Sequence, residues 1–186
     1  EMVSQLLLLS RADQGREKLC VEALDFSELS QLEAEEFSEI AAQRDIALEA
    51  EIEPGVTLEG DQTLLMRLWG NLLQNAVTYG RPGGHIRMAV RRDGGTVLLQ
   101  VRDDGIGIAP EHLPRIWDRF YQVSASRSAE SSGLGLSMVK WIVEAHHGEI
   151  RVESKEGAGT TFTARLPARF AGAGTEHERS DDDADS

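Results

Sequence analysis

The stretch that most constrains this chain runs from Val97 to Pro110, where an alternating strand ends on a carboxylate and two closely spaced glycines, Val-Leu-Leu-Gln-Val-Arg-Asp-Asp-Gly-Ile-Gly-Ile-Ala-Pro. Val97, Leu99 and Val101 alternate with Leu98, Gln100 and Arg102, the period of a strand with one face turned to a core. Asp103 keeps the inward phase. A carboxylate in that phase needs hydrogen-bond partners, because an unpaired buried charge is too costly to keep. Gly105 and Gly107 follow at once, removing side chains where the chain turns and letting a planar ligand approach the backbone. Taken alone, so short and common a string reads as an ordinary strand end with a glycine turn.

Upstream, Asp61 is placed to cap a helix whose buried stripe is Leu64, Leu65, Leu68, Leu72, Leu73 and Ala76. Asn71 and Asn75 fall one turn apart on it, so their amides share a face, with Thr78 and Tyr79 one turn beyond. Arg81-Pro82-Gly83-Gly84 ends this helix. Earlier still, Asp25 and Glu28 form a capping box for a helix running to about Arg44, and Ile46, Leu48 and Ile52 mark a strand closed by Pro54-Gly55. Ile86, Met88 and Val90 belong to a strand that turns at Asp93-Gly94-Gly95 into that of Val97, Leu99 and Val101.

Past the glycines, Pro110 to Phe120 reads as a short helical region broken by Pro114, and Gln122 to Ser132 as a small, polar, mobile loop. Gly133-Leu134-Gly135-Leu136 then opens a helix bearing Met138, Val139, Ile142 and Val143 and stopped at Gly148. Ile150 and Val152 resume the sheet, Gly157-Ala158-Gly159 turns it, and Phe162, Ala164 and Leu166 return with an inward phase that Thr160 shares. Residues 1–15 read as the end of a longer helix, 16–24 as a linker, 25–170 as the main domain and 171–186 as an acidic tail with almost nothing to bury, expected to be disordered.

Charge and cysteine content narrow the function classes. The 186 residues carry a net charge of -13, which argues against binding a nucleic-acid backbone, a task for clustered Lys and Arg. Cys20 stands alone, so no intrachain disulfide or cysteine-rich metal site is available. The longest apolar run near the start, Leu6 to Leu9, is far too short to span a membrane.

In order along the chain stand a helix with paired asparagines, a strand-end Asp with two glycines, a Gly-Leu-Gly-Leu helix entrance and a closing Gly159-Thr160 strand. From Asp25 to Pro167 this combination resembles the ATP-binding catalytic domain of bacterial sensor histidine kinases, in the superfamily shared with DNA gyrase, the Hsp90 chaperone and MutL. Leu6-Leu7-Leu8-Leu9-Ser10-Arg11-Ala12-Asp13 is similar to the end of the second dimerisation helix of those kinases. The resemblance implies an α+β fold, a two-layer α/β sandwich of the Bergerat ATP-binding type with a mixed, mostly antiparallel sheet and helices on one face.

By that resemblance the ligand is ATP or ADP with Mg²⁺. Asn75, with Asn71 close by, would hold the metal, a hard cation served by few protein oxygens. Asp103 would accept the adenine amino proton, Gly105, Gly107 and Ile108 would close on the base, Thr160 would reach the same region through a water, and Tyr79 would lie against the ring or serve in the core. Gly133, Leu134, Gly135 and Leu136 would offer backbone N–H groups to phosphates, with Arg119 and Arg127 as further phosphate contacts or as surface arginines. Arg119, Phe120 and Tyr121 resemble the family's phenylalanine-containing box. Four positions depart from the usual pattern: Thr78 replaces a Lys or Arg, Ser131 a glycine, and Trp117-Asp118 the more frequent Phe-Glu.

The implied activity is transfer of the γ-phosphoryl group to a histidine on a dimerisation helix, and onward to a response-regulator aspartate. In the superfamily's hydrolases a glutamate stands four residues before the metal asparagine; here that position is Asn71, which disfavours an ATPase clamp. His85 falls at a strand start, His112 after the glycine loop, His146 and His147 at a helix end and His177, although Glu178 follows it, in the acidic tail, so none is expected on a phosphoacceptor helix. A nucleotide-binding regulatory module without phosphotransfer is the alternative. The domain is expected to be cytoplasmic, with the parent anchored in the bacterial inner membrane.

Overall fold

The computed structural model describes residues 7, 18–123 and 133–170. The expected dimerisation-helix end at 1–15, the acidic tail at 171–186, and Arg127 and Ser131 of the polar loop fall outside these residues, apart from the isolated Leu7.

Two strand-to-helix corners share one construction. Strand β1 (Val21–Asp25) ends on Asp25, whose side chain accepts the Glu28 N–H at 3.0 Å and caps helix α1 (Phe26–Ala42). Beyond strand β2 (Ile46–Ile52), strand β3 (Thr57–Asp61) ends on Asp61, which accepts the Leu64 N–H at 3.1 Å and caps helix α2 (Gln62–Tyr79). Each carboxylate satisfies a donor that the first helical turn leaves unpaired. The corners are locked together because β1 and β3 pair antiparallel, Val21 opposite Asp61 and Asp25 opposite Thr57. Residues 21–24 are therefore strand, where the sequence suggested linker. Only Leu24 of this strand is buried, so no alternation announces it; its partner supplies the order through backbone pairing.

The main sheet has five strands in the order β2, β4 (Gly84–Asp93), β5 (Thr96–Asp103), β7 (Gly159–Pro167), β6 (Glu149–Lys155). Strand β2 runs parallel to β4 and every other pair is antiparallel. The inward residues Ile86, Met88, Val90, Val97, Leu99, Val101, Phe162, Ala164 and Leu166 join one buried cluster with Leu65, Leu68 and Leu72 of α2 and with Met138, Val139, Ile142 and Val143 of helix α3 (Gly135–Ala145). Trp69 of α2 completes the α1 side, stacked on Phe26 and donating Nε1–H to Ser30 Oγ at 3.1 Å. The fold is thus the two-layer sandwich expected, a mixed and mostly antiparallel sheet with helices on one face.

Smaller differences from the sequence reading have local causes. Helix α1 stops at Ala42, two residues short of Arg44, and Asp45 takes a left-handed φ of 57° in the turn to β2. At the end of α3 the left-handed residue is His147, φ 58°, and Gly148 follows it. Around Pro114 only a 3₁₀ turn forms, Leu113–Arg115.

Candidate nucleotide-binding site

Three neighbouring strands end their inward phase on a polar side chain at the same edge of the sheet. Asp103 of β5 lies opposite Thr160 of β7, which lies opposite Ser154 of β6. Asp103 is 8% exposed, and its Oδ1 accepts the Gly105 N–H at 2.9 Å. Burial pushes its carboxyl above the ordinary range, the backbone N–H groups of Gly105 and Thr160 pull it back, and neighbouring Asp104 adds to the rise. Asp104 points elsewhere: it accepts from His85 N at 2.8 Å and meets His85 Nδ1 at 3.0 Å. Its slight burial raises its carboxyl, but the His85 contacts outweigh that and hold it low.

The glycine loop is fastened on both sides of this row. Ile106 N–H donates to the Tyr79 carbonyl at 3.1 Å, Gly157 N–H to the Ile106 carbonyl at 2.7 Å, and Ile108 N–H to Ser154 Oγ at 2.8 Å. Gly107 has a φ of 69°, and a Cβ on it would run into the Lys155 carbonyl. A Cβ on Gly105 would likewise run into the Tyr79 carbonyl. Ser154 Oγ also donates to the Gly159 carbonyl at 3.0 Å and stands 2.9 Å from Thr160 Oγ1. Sequence reasoning missed Ser154; the available signal was that the inward positions Ile150 and Val152 continue to a hydroxyl, as β5 continues to Asp103.

The second half of the site is where α2 meets α3. Asn71 Nδ2 donates to the Arg67 carbonyl at 2.9 Å, which leaves Oδ1 as the outward atom. A Cβ built on Gly135, the first residue of α3, would stand 3.1 Å from that oxygen. The N-cap of α3 is Leu134, with no side-chain cap and no acid in the first turn, and the first N–H to bond back is Met138, to the Leu134 carbonyl at 2.9 Å. The N–H groups of Gly135, Leu136 and Ser137 consequently have no intrahelical partner, and the positive end of the helix dipole lies beside Asn71. Asn75, half-buried one turn further along α2, makes no side-chain hydrogen bond among the described residues. Thr78 accepts from Gln74 Nε2 at 3.1 Å, and Tyr79 is half-buried at the end of α2.

On the far side of residues 124–132, Phe120 N–H donates to the Gly133 carbonyl at 2.9 Å, joining the two ends of that segment. Both residues have left-handed φ angles, 62° and 67°. Tyr121 Oη meets His112 Nδ1 at 2.7 Å beneath the Arg115 guanidinium, which lies 4.3 Å from the ring centre, and Trp117 packs edge-on to Phe162. Arg119 is exposed at the entrance to this segment. The structure therefore gathers Asp103, Gly105, Gly107, Ile108 and Thr160 around one end, and Asn71 and Gly135 with its neighbours around the other.

A sheet whose central strand ends in a buried acid, flanked by an asparagine-bearing helix and an uncapped one, defines a class. Residues 60–169 match the model of the histidine kinase-, DNA gyrase B-, and HSP90-like ATPases, and the chain belongs to that family. It is 38% identical over 171 residues to the sensor-like histidine kinase SenX3 of Mycobacterium tuberculosis, covering 90% of this chain and 42% of SenX3. It is 36% identical over 171 residues to the heme sensor protein HssS of Staphylococcus saprophyticus, covering 88% of this chain and 35% of HssS. The solved mycobacterial sensor histidine kinase MprB superposes with a TM-score of 0.71 at 31% identity, over 80% of this chain and 99% of that one. Full-length ShkA in complex with AMPPNP superposes with a TM-score of 0.79 at 28% identity, over 92% of this chain and 36% of that one. Within the family, the chain is the ATP-binding catalytic domain of the two-component histidine kinase type. It spans less than half the length of the curated relatives it matches.

Proposed function

We propose that this chain binds Mg-ATP and presents its γ-phosphoryl group to a histidine carried by a dimerisation helix, for onward transfer to a response-regulator aspartate. The observation that carries this reading is the position of Asp103, buried at the end of the central strand, in register with Thr160 and beside a loop fastened close to it. Its carboxylate accepts from the 6-amino group of adenine. Gly105, Gly107 and Ile108 close on the base, Thr160 supports the same edge, and Tyr79 lies against the ring. The N–H groups of Gly133, Leu134, Gly135 and Leu136, with Arg119 on the other side, hold the phosphates.

The donor set suits a magnesium ion: Asn71 and Asn75 offer neutral amide oxygens, and these add no negative charge beside a triphosphate. Mg²⁺, when bound, neutralises charge developing on the transferred group. The chain's own contribution is positioning. With Asn71 one turn before Asn75, that turn supplies no carboxylate to activate water. Three of the chain's five histidines are otherwise engaged: His85 with Asp104, His112 with Tyr121, and His146 in the core. Among the described residues no helix is long and apolar enough to cross a membrane; the parent is anchored in the bacterial inner membrane, with this domain on its cytoplasmic side.

The test is incubation with γ-labelled ATP, alone and with a separately made dimerisation segment of the parent kinase. Acid-labile label should pass to the added segment and none should accumulate on this chain. Stable label on one of its own five histidines would overturn the reading. Thr78, which stands where the resemblance implies a Lys or Arg and is instead bonded to Gln74, favours a second reading, a regulatory nucleotide-binding module. In that case ATP binds and no label moves.

A further inference from the structure

His146 lies just past the end of α3, 3% exposed, with both ring nitrogens in use. Nδ1 is 2.8 Å from the Ile142 carbonyl, one turn back. A carbonyl only accepts, so Nδ1 carries the proton and Nε2 presents a lone pair. That lone pair accepts the Asp61 N–H at 3.0 Å. Asp61 is the residue that caps α2.

This bond joins the two helices of the phosphate end at their far ends. Asp61 lies ten residues before Asn71, and His146 eleven after Gly135. At about 1.5 Å per residue these lengths are about 15 and 16 Å. Helices α2 and α3 therefore lie antiparallel between two rungs of matching height, Nε2 of His146 on Asp61 N at one end and Gly135 against Asn71 Oδ1 at the other.

We infer that His146 is a positioning residue of the nucleotide site. Through its bond to the Asp61 N–H it sets the axial register of α3 on α2, and so fixes where the N–H groups of Gly135, Leu136 and Ser137 stand relative to Asn71 and Asn75. The inference rests on the nucleotide reading above and adds a residue outside the site that the triphosphate, but not the base, depends on.

Protonation would replace the lone pair by a second N–H facing the Asp61 N–H and break the rung. The groups around the ring are the Asp61 carboxylate, which also holds Leu64 N and Cys20 N, the adjacent His147, and Glu59, which accepts from the N–H of Phe170, whose ring lies edge-on to His146. Burial lowers the pKa below the ordinary 6.5, while the Ile142 carbonyl and Asp61 pull it up and His147 lowers it further. The folded site favours the neutral ring, so the rung is intact above about 6.5 and is lost as pH falls below that value toward the lowered one.

Calorimetric binding of Mg-ATP and of adenosine, on the full chain and on His146→Gln and His146→Asn, tests this. A glutamine amide oxygen reaches the Nε2 position; the shorter asparagine amide reaches only the Nδ1 position. Loss of one such hydrogen bond corresponds to about a tenfold change. The glutamine variant should bind both ligands about as the parent chain does, and the asparagine variant should lose about tenfold in Mg-ATP affinity with adenosine affinity retained. Between pH 7.5 and 5.5, the ratio of Mg-ATP to adenosine affinity should fall further in the parent chain than in His146→Gln, where ATP's own protonation is the same. Equal losses for both ligands, no loss in either variant, or matching pH profiles would overturn the inference while leaving the nucleotide reading standing. A parent chain that binds neither ligand would overturn that reading itself.

Discussion

Asp103 and Asp104 are adjacent carboxylates with opposite surroundings. Asp103 is buried and raised, whereas Asp104, with half of its side chain exposed, is bound to His85 and lowered. A raised carboxyl favours its neutral form in the folded chain, so the anion at neutral pH opposes folding. Asp103→Asn is therefore expected to raise the thermal unfolding temperature of the ligand-free chain at pH 8 while weakening ATP binding, and Asp104→Asn to leave ATP affinity within about threefold. Melting curves and calorimetry on the same samples check both. Glu33 of α1 gives a second residue-scale expectation. It is 6% exposed, and burial, with Glu36 nearby, raises its pKa from 4.5 to about 7. Its favourable neutral state is present below 4.5 and lost as pH rises through about 7. Glu33→Gln should match the parent chain at pH 4.5 and exceed its stability by about 2–3 kcal/mol at pH 8, measured by denaturant unfolding. The phase of Asp103 was legible from alternation alone. Ser154 was not, because a serine ending a strand is ordinary until strand register sets it against Thr160. Glu33 escaped for a related reason: acids crowd that helix, and only packing singles out the buried one.

Elements differ in how much of themselves they disclose. Helices α1 and α2 declared their first residues through Asp25 and Asp61, since capping is local chemistry. Strands β1 and β3 declared nothing, because they bury Leu24 and Leu58 and owe their order to pairing with each other. The double role of Asp61 follows from that pairing: Oδ1 caps α2 while Oδ2 accepts the Cys20 N–H at 2.9 Å. Asp61→Ala should cost about 1–2 kcal/mol in unfolding free energy, and Asp25→Ala, which loses only its cap, about 1 kcal/mol. Equal costs would mean that the Cys20 contact adds nothing. The uncapped start of α3 was also legible, as Gly133-Leu134-Gly135-Leu136 carries no Ser, Thr, Asp or Asn at the cap. Its placement against Asn71 required the tertiary structure.

At the scale of the molecule, β5 lies at the centre of the sheet and delivers Asp103 to the edge where Thr160 and Ser154 arrive from β7 and β6. Helices α2 and α3 cover the same face and meet beside that edge, so one sheet and two helices supply both ends of the proposed nucleotide site. The order of motifs carried the architecture into view from sequence, while the parallel pairing of β2 with β4 depended on contacts far apart in the chain. In the proposed function Asp103 selects adenine within a Mg-ATP site. Guanine presents a carbonyl oxygen where adenine presents an amino group, and a carboxylate that only accepts is left facing another acceptor. The direct measurement is calorimetric titration of the chain with Mg-ATP and with Mg-GTP, repeated on Asp103→Asn. ATP should bind more tightly than GTP by about a hundredfold or more, with most of that preference lost in the variant. Equal affinity for the two nucleotides, or a preference that Asp103→Asn leaves intact, would contradict it.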